Sequence, residues 1–342
     1  MSDLPLLNVI WYMLVGILFT GYAILDGFDL GVGSLHLFTK SDDERRLMLN
    51  SIGPVWDGNE VWLVTGGGAL FAAFPVVYAT VFSGFYMAFM LLLVALIFRG
   101  VAIEFRSKLP MPWWRQMWDI GFSAGSVLSA LLIGVAIGNI ASGVPLDAQH
   151  EFAGSFFGLL KPYPLLVGVT TVALFAMHGG IYAVMKTEGE LHDKLRSWAQ
   201  RCIVVFVLLY VTVSVATFLY VPHMTDVLRN YPWLFIIVVA NILAIANIPR
   251  ALRRGNDFHA FLSSCAAMLA LMTLFGIGMF PNMVRSLPNP EHSLTLVNAA
   301  SSQKTLVIML IVAVIGIPLV LTYTFIIYRI FRGKVKISPL SY

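Results

Sequence analysis

Charge is scarce in this chain. Of its 342 residues only 12% are Asp, Glu, Lys or Arg, and 58% are hydrophobic. A soluble globular domain carries about 25% charged residues, so a soluble fold is excluded. Cysteine is scarcer still. Cys202 and Cys265 sit in separate apolar stretches. Two isolated cysteines make neither a disulfide framework nor a thiolate metal motif, and both read as small apolar filler. There is no Cys-x-x-Cys-His, no glycine loop ending in Lys, no His-Glu-x-x-His and no hydrolase Ser motif. That removes covalent haem attachment, P-loop phosphate binding, zinc proteolysis and serine hydrolysis. Histidine numbers 7, and only His178 lies well inside an apolar run. A bis-His haem needs two facing ligands at one depth. His178 therefore reads first as a packed, helix-bonded residue, with a His/Met haem pair as the lesser alternative.

What is present is apolar length. Runs exceed the ~18 residues expected of a membrane helix, whereas barrel strands are about 10 residues of alternating polarity. The pattern predicts an all-α integral membrane protein with nine spans. They run roughly over 6–38, 47–74, 76–105, 120–140, 164–185, 202–221, 232–248, 258–280 and 305–330. The first run has spanning length and only one charge, Asp3, precedes it, so it reads as a span rather than a cleaved leader. The residues 1–342 read as one polytopic domain, conceivable as two four-helix bundles plus one peripheral helix. The outer loops 141–163 and 281–304 are polar, with no core expected of their own.

A pI near 9.0 would suggest nucleic acid in a soluble protein. Here loop asymmetry explains it, and no nucleic-acid partner is expected. Assigning alternate loops to one side places 17 of the 22 Lys and Arg there and 4 on the other, with Arg99 inside a span. The positive-inside rule then sets the N-terminus outside and the C-terminus in the cytoplasm.

The segment Trp56-Asp57-Gly58-Asn59-Glu60 puts two carboxylates into a run that otherwise belongs in lipid. Such charges are costly and are retained when paired, wetted or used. Asp57 and Glu60 are three apart on one helix face, as are Asp26 and Asp29 in the first span. Counting helical rise from Leu6 sets Asp26 and Asp29 near the cytoplasmic edge, about 30 Å along, where water reaches. Gly53-Pro54 predicts a kink just before Asp57, and Ser41 with Glu44 predicts a capping box. Arg99 falls in the same cytoplasmic half. Three readings stay open for these five groups: an ion-pair cluster clamped by Arg99, a hydrophilic inlet for protons, or a sodium or substrate site. Carboxylates in excess of their cation leave at least one free to exchange a proton. Gly66-Gly67-Gly68, on the same helix as Trp56, allows close backbone approach, either within the chain or against another subunit.

Several of these motifs occur together in a known family. Asp26-Gly27-Phe28-Asp29-Leu30-Gly31, Asp43-Glu44-Arg45-Arg46, Trp56 through Leu63, Gly67 through Pro75, Phe82-Ser83-Gly84-Phe85-Tyr86, Phe98-Arg99, Phe105 through Lys108, Ser301-Ser302-Gln303, and Pro318 with Tyr323 are the carriers. The sequence resembles subunit II of the cytochrome bd quinol oxidases across essentially its whole length.

The resemblance implies a subunit of a terminal respiratory oxidase that passes electrons from quinol to dioxygen, in a bacterial or archaeal cytoplasmic membrane. It implies a haem-bearing subunit I as partner in a heterodimer. That subunit would carry haems b and d and the quinol-oxidising loop, with no cofactor bound by this chain. A small single-span accessory subunit, quinone and lipids are further expected partners. The second, third and ninth helices would face subunit I, which brings Trp56 and Gly66–Gly68 to the interface. Asp57 matches the acidic position of a proton route toward the haems. Asp26 and Asp29 match acidic positions of less defined role. Some relatives carry Gln where this chain has Glu60, which leaves the role of Glu60 open. The alternatives are an ion-coupled transporter or channel using the same carboxylates, and a scaffold for assembly.

Overall fold

The computed structural model describes residues 4–337. Twelve helices follow one another, starting with α1 (Leu6–His36), α2 (Asp42–Ile52), α3 (Trp56–Ala73) and α4 (Pro75–Gly84). Next come α5 (Tyr86–Phe105), α6 (Pro112–Ser142), α7 (Pro162–Lys186) and α8 (Gly189–Tyr220). The last are α9 (Asp226–Asn230), α10 (Phe235–Arg253), α11 (Asp257–Met279) and α12 (Gln303–Ile330). Eight of them, all except α2, α3, α4 and α9, are long and apolar enough to cross a membrane.

Two expected spans are each carried by two helices. In the second, Gly53-Pro54 breaks the chain rather than kinking it. Pro54 lacks an N–H, helix α2 ends at Ile52, and α3 starts afresh at Trp56. Helix α2 begins as its sequence predicts: the Ser41 side chain accepts from Glu44 N–H, and the Glu44 carboxylate reaches back to the Ser41 N–H. In the third, α4 and α5 part at Phe85. Upstream, Pro75 is the first residue of α4. It disfavours helical geometry at Phe74, which sits at φ −136°, ψ 65°. That break frees carbonyls at the end of α3. Ser301 takes two of them, its N–H donating to Ala73 O at 2.8 Å and its hydroxyl to Ala72 O at 2.6 Å.

Helix α1 is central, packing on α7, α3 and α6. The approach to α7 is close because small residues face each other. A methyl added at Gly31 would stand 2.8 Å from Gly179 Cα and 2.7 Å from the Phe175 carbonyl carbon. Overpacking of this kind costs roughly 1–3 kcal/mol. Gly31→Ala is therefore expected to lower the thermal midpoint of the assembled protein by several degrees, read by a melt. Gly16→Ala, where a Cβ meets nothing within 4 Å, is the control that should leave it unmoved.

One end of the molecule is tied by ions. Asp119 of α6, fully buried, takes Arg45 Nη1 at 2.7 Å, Arg106 Nε at 2.5 Å and His36 Nε2 at 2.6 Å. Asp42 bridges Arg106 and Arg115, and Glu44 meets Lys194. This lock joins α1, α2, α6, α8 and the turn after α5. The expected fourth span began at Ile120, one residue too late to include Asp119.

At the opposite end the two long loops do form a core, contrary to expectation. Val144, Leu146, Val284, Leu294 and Leu296 are buried in one cluster with Trp11, Ala73 and Phe74. The strands β1 (Asn282–Val284) and β2 (Leu294–Thr295) pair antiparallel, and Val144 bridges to Ser286. Asn8 fastens this cap to α1 by donating to Leu296 O at 2.7 Å and accepting from Gln303.

Candidate functional site

Four of the predicted acidic residues and Arg99 meet where α1, α3 and α5 adjoin. Asp26 and Asp29 lie one turn apart on α1, and both are 0% exposed. The water's edge expected from counting helical rise is not where they sit. Rise gives height along the axis, not the lateral cover that neighbouring helices supply. Arg99, reaching in from α5, is equally buried. Its Nη1 donates to Asp26 Oδ2 at 3.0 Å, and its Nη2 donates to Asp26 Oδ1, a bidentate pair. The same Nη2 stands 3.9 Å from Asp29 Oδ2. Two parallel N–H···O bonds fix the guanidinium plane and make this the strongest kind of charged contact.

Asn59 completes the inner half. It is buried on α3 and donates through Nδ2 to Asp29 Oδ2 at 2.8 Å and to Leu25 O at 3.3 Å. Its Oδ1 accepts from the Tyr328 hydroxyl of α12 at 2.8 Å. One amide thus ties α1, α3 and α12 together. Sequence reading passed over Asn59 and Tyr328, although Asn59 stands inside the quoted motif. The signal was its position between Asp57 and Glu60, on the face opposite to Asp57.

The outer half differs. Glu60 is half-buried and feels the charges of Arg99, Asp26 and Asp57. Asp57 is exposed in the first turn of α3, where the helix N-terminus favours an anion, and among the described residues it has no ion pair. It opens a bare stripe that continues through Gly58, Val61, Val64, Thr65, Gly68 and Phe71. Val64 is 72% exposed and Phe71 59%. The three glycines of 66–68 divide. Gly66 packs inward, where a Cβ would sit 3.1 Å from Phe19, whereas Cβ atoms at Gly67 and Gly68 would meet nothing within 4 Å. Trp56 is half-buried and lies against Gly100 of α5. Beside α3, helix α12 is bare along most of its length.

His178 is held at both ring nitrogens. Nε2 donates to Ile24 O at 2.9 Å, Nδ1 lies 2.7 Å from the Ser264 hydroxyl, and the ring stacks on Phe261. It is a packed, helix-bonded residue, as its sequence context suggested. Among the described residues no group of three His, Cys, Asp or Glu is placed to hold a metal ion.

These features define a class: a polytopic helical membrane protein with a buried ion cluster behind a bare helix face on which Asp57 has no ion pair among the described residues. The family model described as cytochrome bd terminal oxidase subunit II matches residues 7–331, and the chain belongs to that family. It is 41% identical to cytochrome bd-I ubiquinol oxidase subunit 2 of Escherichia coli (strain K12), over 95% of this chain and 94% of that protein. It is 34% identical to cytochrome bd ubiquinol oxidase subunit 2 of Bacillus subtilis (strain 168), over 98% of this chain and 99% of that protein. The fold is similar to that of the bd oxidase from Geobacillus thermodenitrificans, with a TM-score of 0.79 at 17% identity, covering 95% of this chain and 98% of the other. The chain is thus one subunit of an oxidoreductase complex. These relatives are bacterial, and with the long apolar helices they make it a multi-pass inner-membrane protein. They lend no support to an archaeal setting or to a free-standing transporter.

Proposed function

We propose that this chain acts as the partner of a haem-bearing subunit I in a bd-type complex that oxidises quinol and reduces dioxygen to water. The haems b and d and the quinol-oxidising site belong to subunit I. This chain stabilises that subunit and supplies it with protons from the cytoplasm. Helix α3 is the second span and brings the total to nine, made possible because its two acidic residues are not left to lipid. Glu60 shares the field of Arg99, and Asp57 is covered by the partner. The N-terminus lies outside and the C-terminus in the cytoplasm, as the basic loops require, with residues 1–342 forming one polytopic unit. Two four-helix bundles plus one peripheral helix describe the arrangement, and a small single-span subunit completes the complex.

One observation carries this reading: Asp57 stands unpaired on a bare stripe that is otherwise apolar and glycine-bearing. Lipid accounts for bare Val64 and Phe71, but not for a carboxylate among them. Close approach of a second protein accounts for both, because Gly58, Gly67 and Gly68 let a backbone in. Within the cluster the roles separate. Asp26 is committed to Arg99 as a clamp, and Asp29 is held by Asn59. Glu60 and Asp57 form the outer pair that exchanges protons.

Gly68→Leu tests the interface. The added side chain meets open space within this chain, so the subunit should still insert. Haem co-purifying with the tagged variant should fall several-fold relative to wild type, read from the optical spectrum. Undiminished haem would remove α3 from the interface.

A further inference from the structure

A second site lies at the ion-locked end, on the far side of the Gly53–Val55 break from the carboxylates. A cavity of about 400 Å³ opens between the end of α2, the end of α7 and the tail that follows α12. Its polar walls are Asn50, Ser51, Lys186, Lys334 and Lys336, and no carboxylate lines it among the described residues.

Lys186 is the unusual member. It is only 7% exposed, yet its ammonium has carbonyls and a ring for company rather than an anion. It donates to Phe331 O, approaches Gly333 O at 3.5 Å, and stands 5.7 Å from the Tyr182 ring centroid. The tail is anchored over it, since Val335 N–H donates to Lys186 O at 2.9 Å. That anchoring brings Lys334 to the same rim, where its Nζ reaches Val184 O at 3.4 Å. An ammonium has three donors, so both lysines keep donors free. Buried charge without a counter-charge is costly, and a bound anion would relieve it.

The remaining walls select the anion. They include Pro54, Val55, Tyr182, Ile330 and Phe331, and Ile330 and Phe331 are 64% and 44% exposed. From there the apolar side chains of α12 continue, exposed on this chain. Lysines beside an apolar slope suit an anionic headgroup whose chains continue into the bilayer, and this end carries the basic excess expected of the anionic leaflet.

We infer that the cavity between Lys186, Lys334 and the 53–55 break binds the headgroup phosphate of an anionic phospholipid. The lipid seals the cytoplasmic end of α12 against the turn that starts α3. A free phosphate would use the lysines but gain nothing from Ile330 and Phe331.

The test uses the whole assembled complex, delipidated in neutral detergent. Binding of phosphatidylglycerol, phosphatidylcholine and inorganic phosphate is followed by native mass spectrometry. Wild type should bind phosphatidylglycerol in preference to phosphatidylcholine. Lys334→Gln with Lys336→Gln should weaken the phosphatidylglycerol event by about tenfold or more, leaving phosphatidylcholine binding unchanged. These tail positions lie outside the carboxylate cluster. Should the variant fail to assemble, a photoactivatable phosphatidylglycerol on wild type should label the 330–336 tail. Equal binding of both lipids, unchanged binding by the double variant, or absence of label from the tail would overturn the site. Displacement of phosphatidylglycerol by equimolar inorganic phosphate would overturn its lipid character.

Discussion

Asp57→Asn, introduced into the assembled oxidase, is expected to cut steady-state oxygen consumption by roughly tenfold or more while leaving haem content unchanged. The size follows from removing one positioned proton-transfer group, an effect that commonly spans about 10²–10⁴ in rate; water bypass at an interface tempers it. Little stability should be lost. The side chain has no ion pair within this chain among the described residues, and a carboxylate in the first turn of a helix contributes only about 0.3–1 kcal/mol. Turnover and assembly are therefore separable at this residue. Asp57→Glu, which keeps an exchangeable proton, should recover much of the rate, and Glu60→Gln should slow it less than Asp57→Asn. Full turnover in Asp57→Asn would make the segment a scaffold, and loss of haem would make it an assembly contact.

Arg99→Met should act in the opposite way, on assembly before turnover. It leaves Asp26, 0% exposed, without its bidentate partner, and Asp29 without its nearest cation. Removing one member of a buried pair costs about 3–5 kcal/mol, a large share of the ~5–15 kcal/mol that holds a typical domain together. The amount of subunit recovered from membranes should fall severely. Adding Asp26→Leu to Arg99→Met removes the stranded charge along with its partner. The double variant should recover more protein than either single variant, which immunoblots of membranes would measure. Equal loss in the single and double variants would mean that the pair is not a clamp.

Much of this site was legible in the sequence because its parts obey short-range rules. The Ser41–Glu44 capping box and the disruption at Gly53-Pro54, a full break where a kink was expected, are properties of a few adjacent residues. Five ionisable groups in apolar runs had to converge somewhere. What escaped was lateral. Helical rise from Leu6 set Asp26 and Asp29 at the membrane edge, yet α1 is covered there on several sides. Gly31 touches Gly179 of α7, and Gly33 lies beside Ser126 of α6. The Asp119 lock draws on residues 36, 45, 106 and 119, and no periodicity within one helix shows that four distant segments meet. Asn59 was hidden for a different reason. A neutral amide between two carboxylates reads as a spacer until its three partners on α1 and α12 are seen. The outer loops failed through composition, since polar, proline-bearing segments still buried Val144, Leu146 and Leu294 against each other.

The structure also sharpens the division between Asp57 and its neighbours. Arg99 and Asp26 satisfy one another inside the chain, so Asp29, Glu60 and Asp57 are the carboxylates in excess of the cation. Of these, Asp57 alone is exposed on the α3 stripe. This is what leads us to propose the α3 face as the place where protons pass from this subunit to its partner.

Proton uptake during a single turnover tests that claim most directly. The fully reduced complex, in vesicles with its cytoplasmic face toward a pH dye, is mixed with oxygen. Wild type should take up protons in step with the oxidation of the haems. Asp57→Asn should bind oxygen and begin haem oxidation at the normal rate, then stall with uptake slowed roughly tenfold or more. Uptake at the wild-type rate in Asp57→Asn would contradict the account.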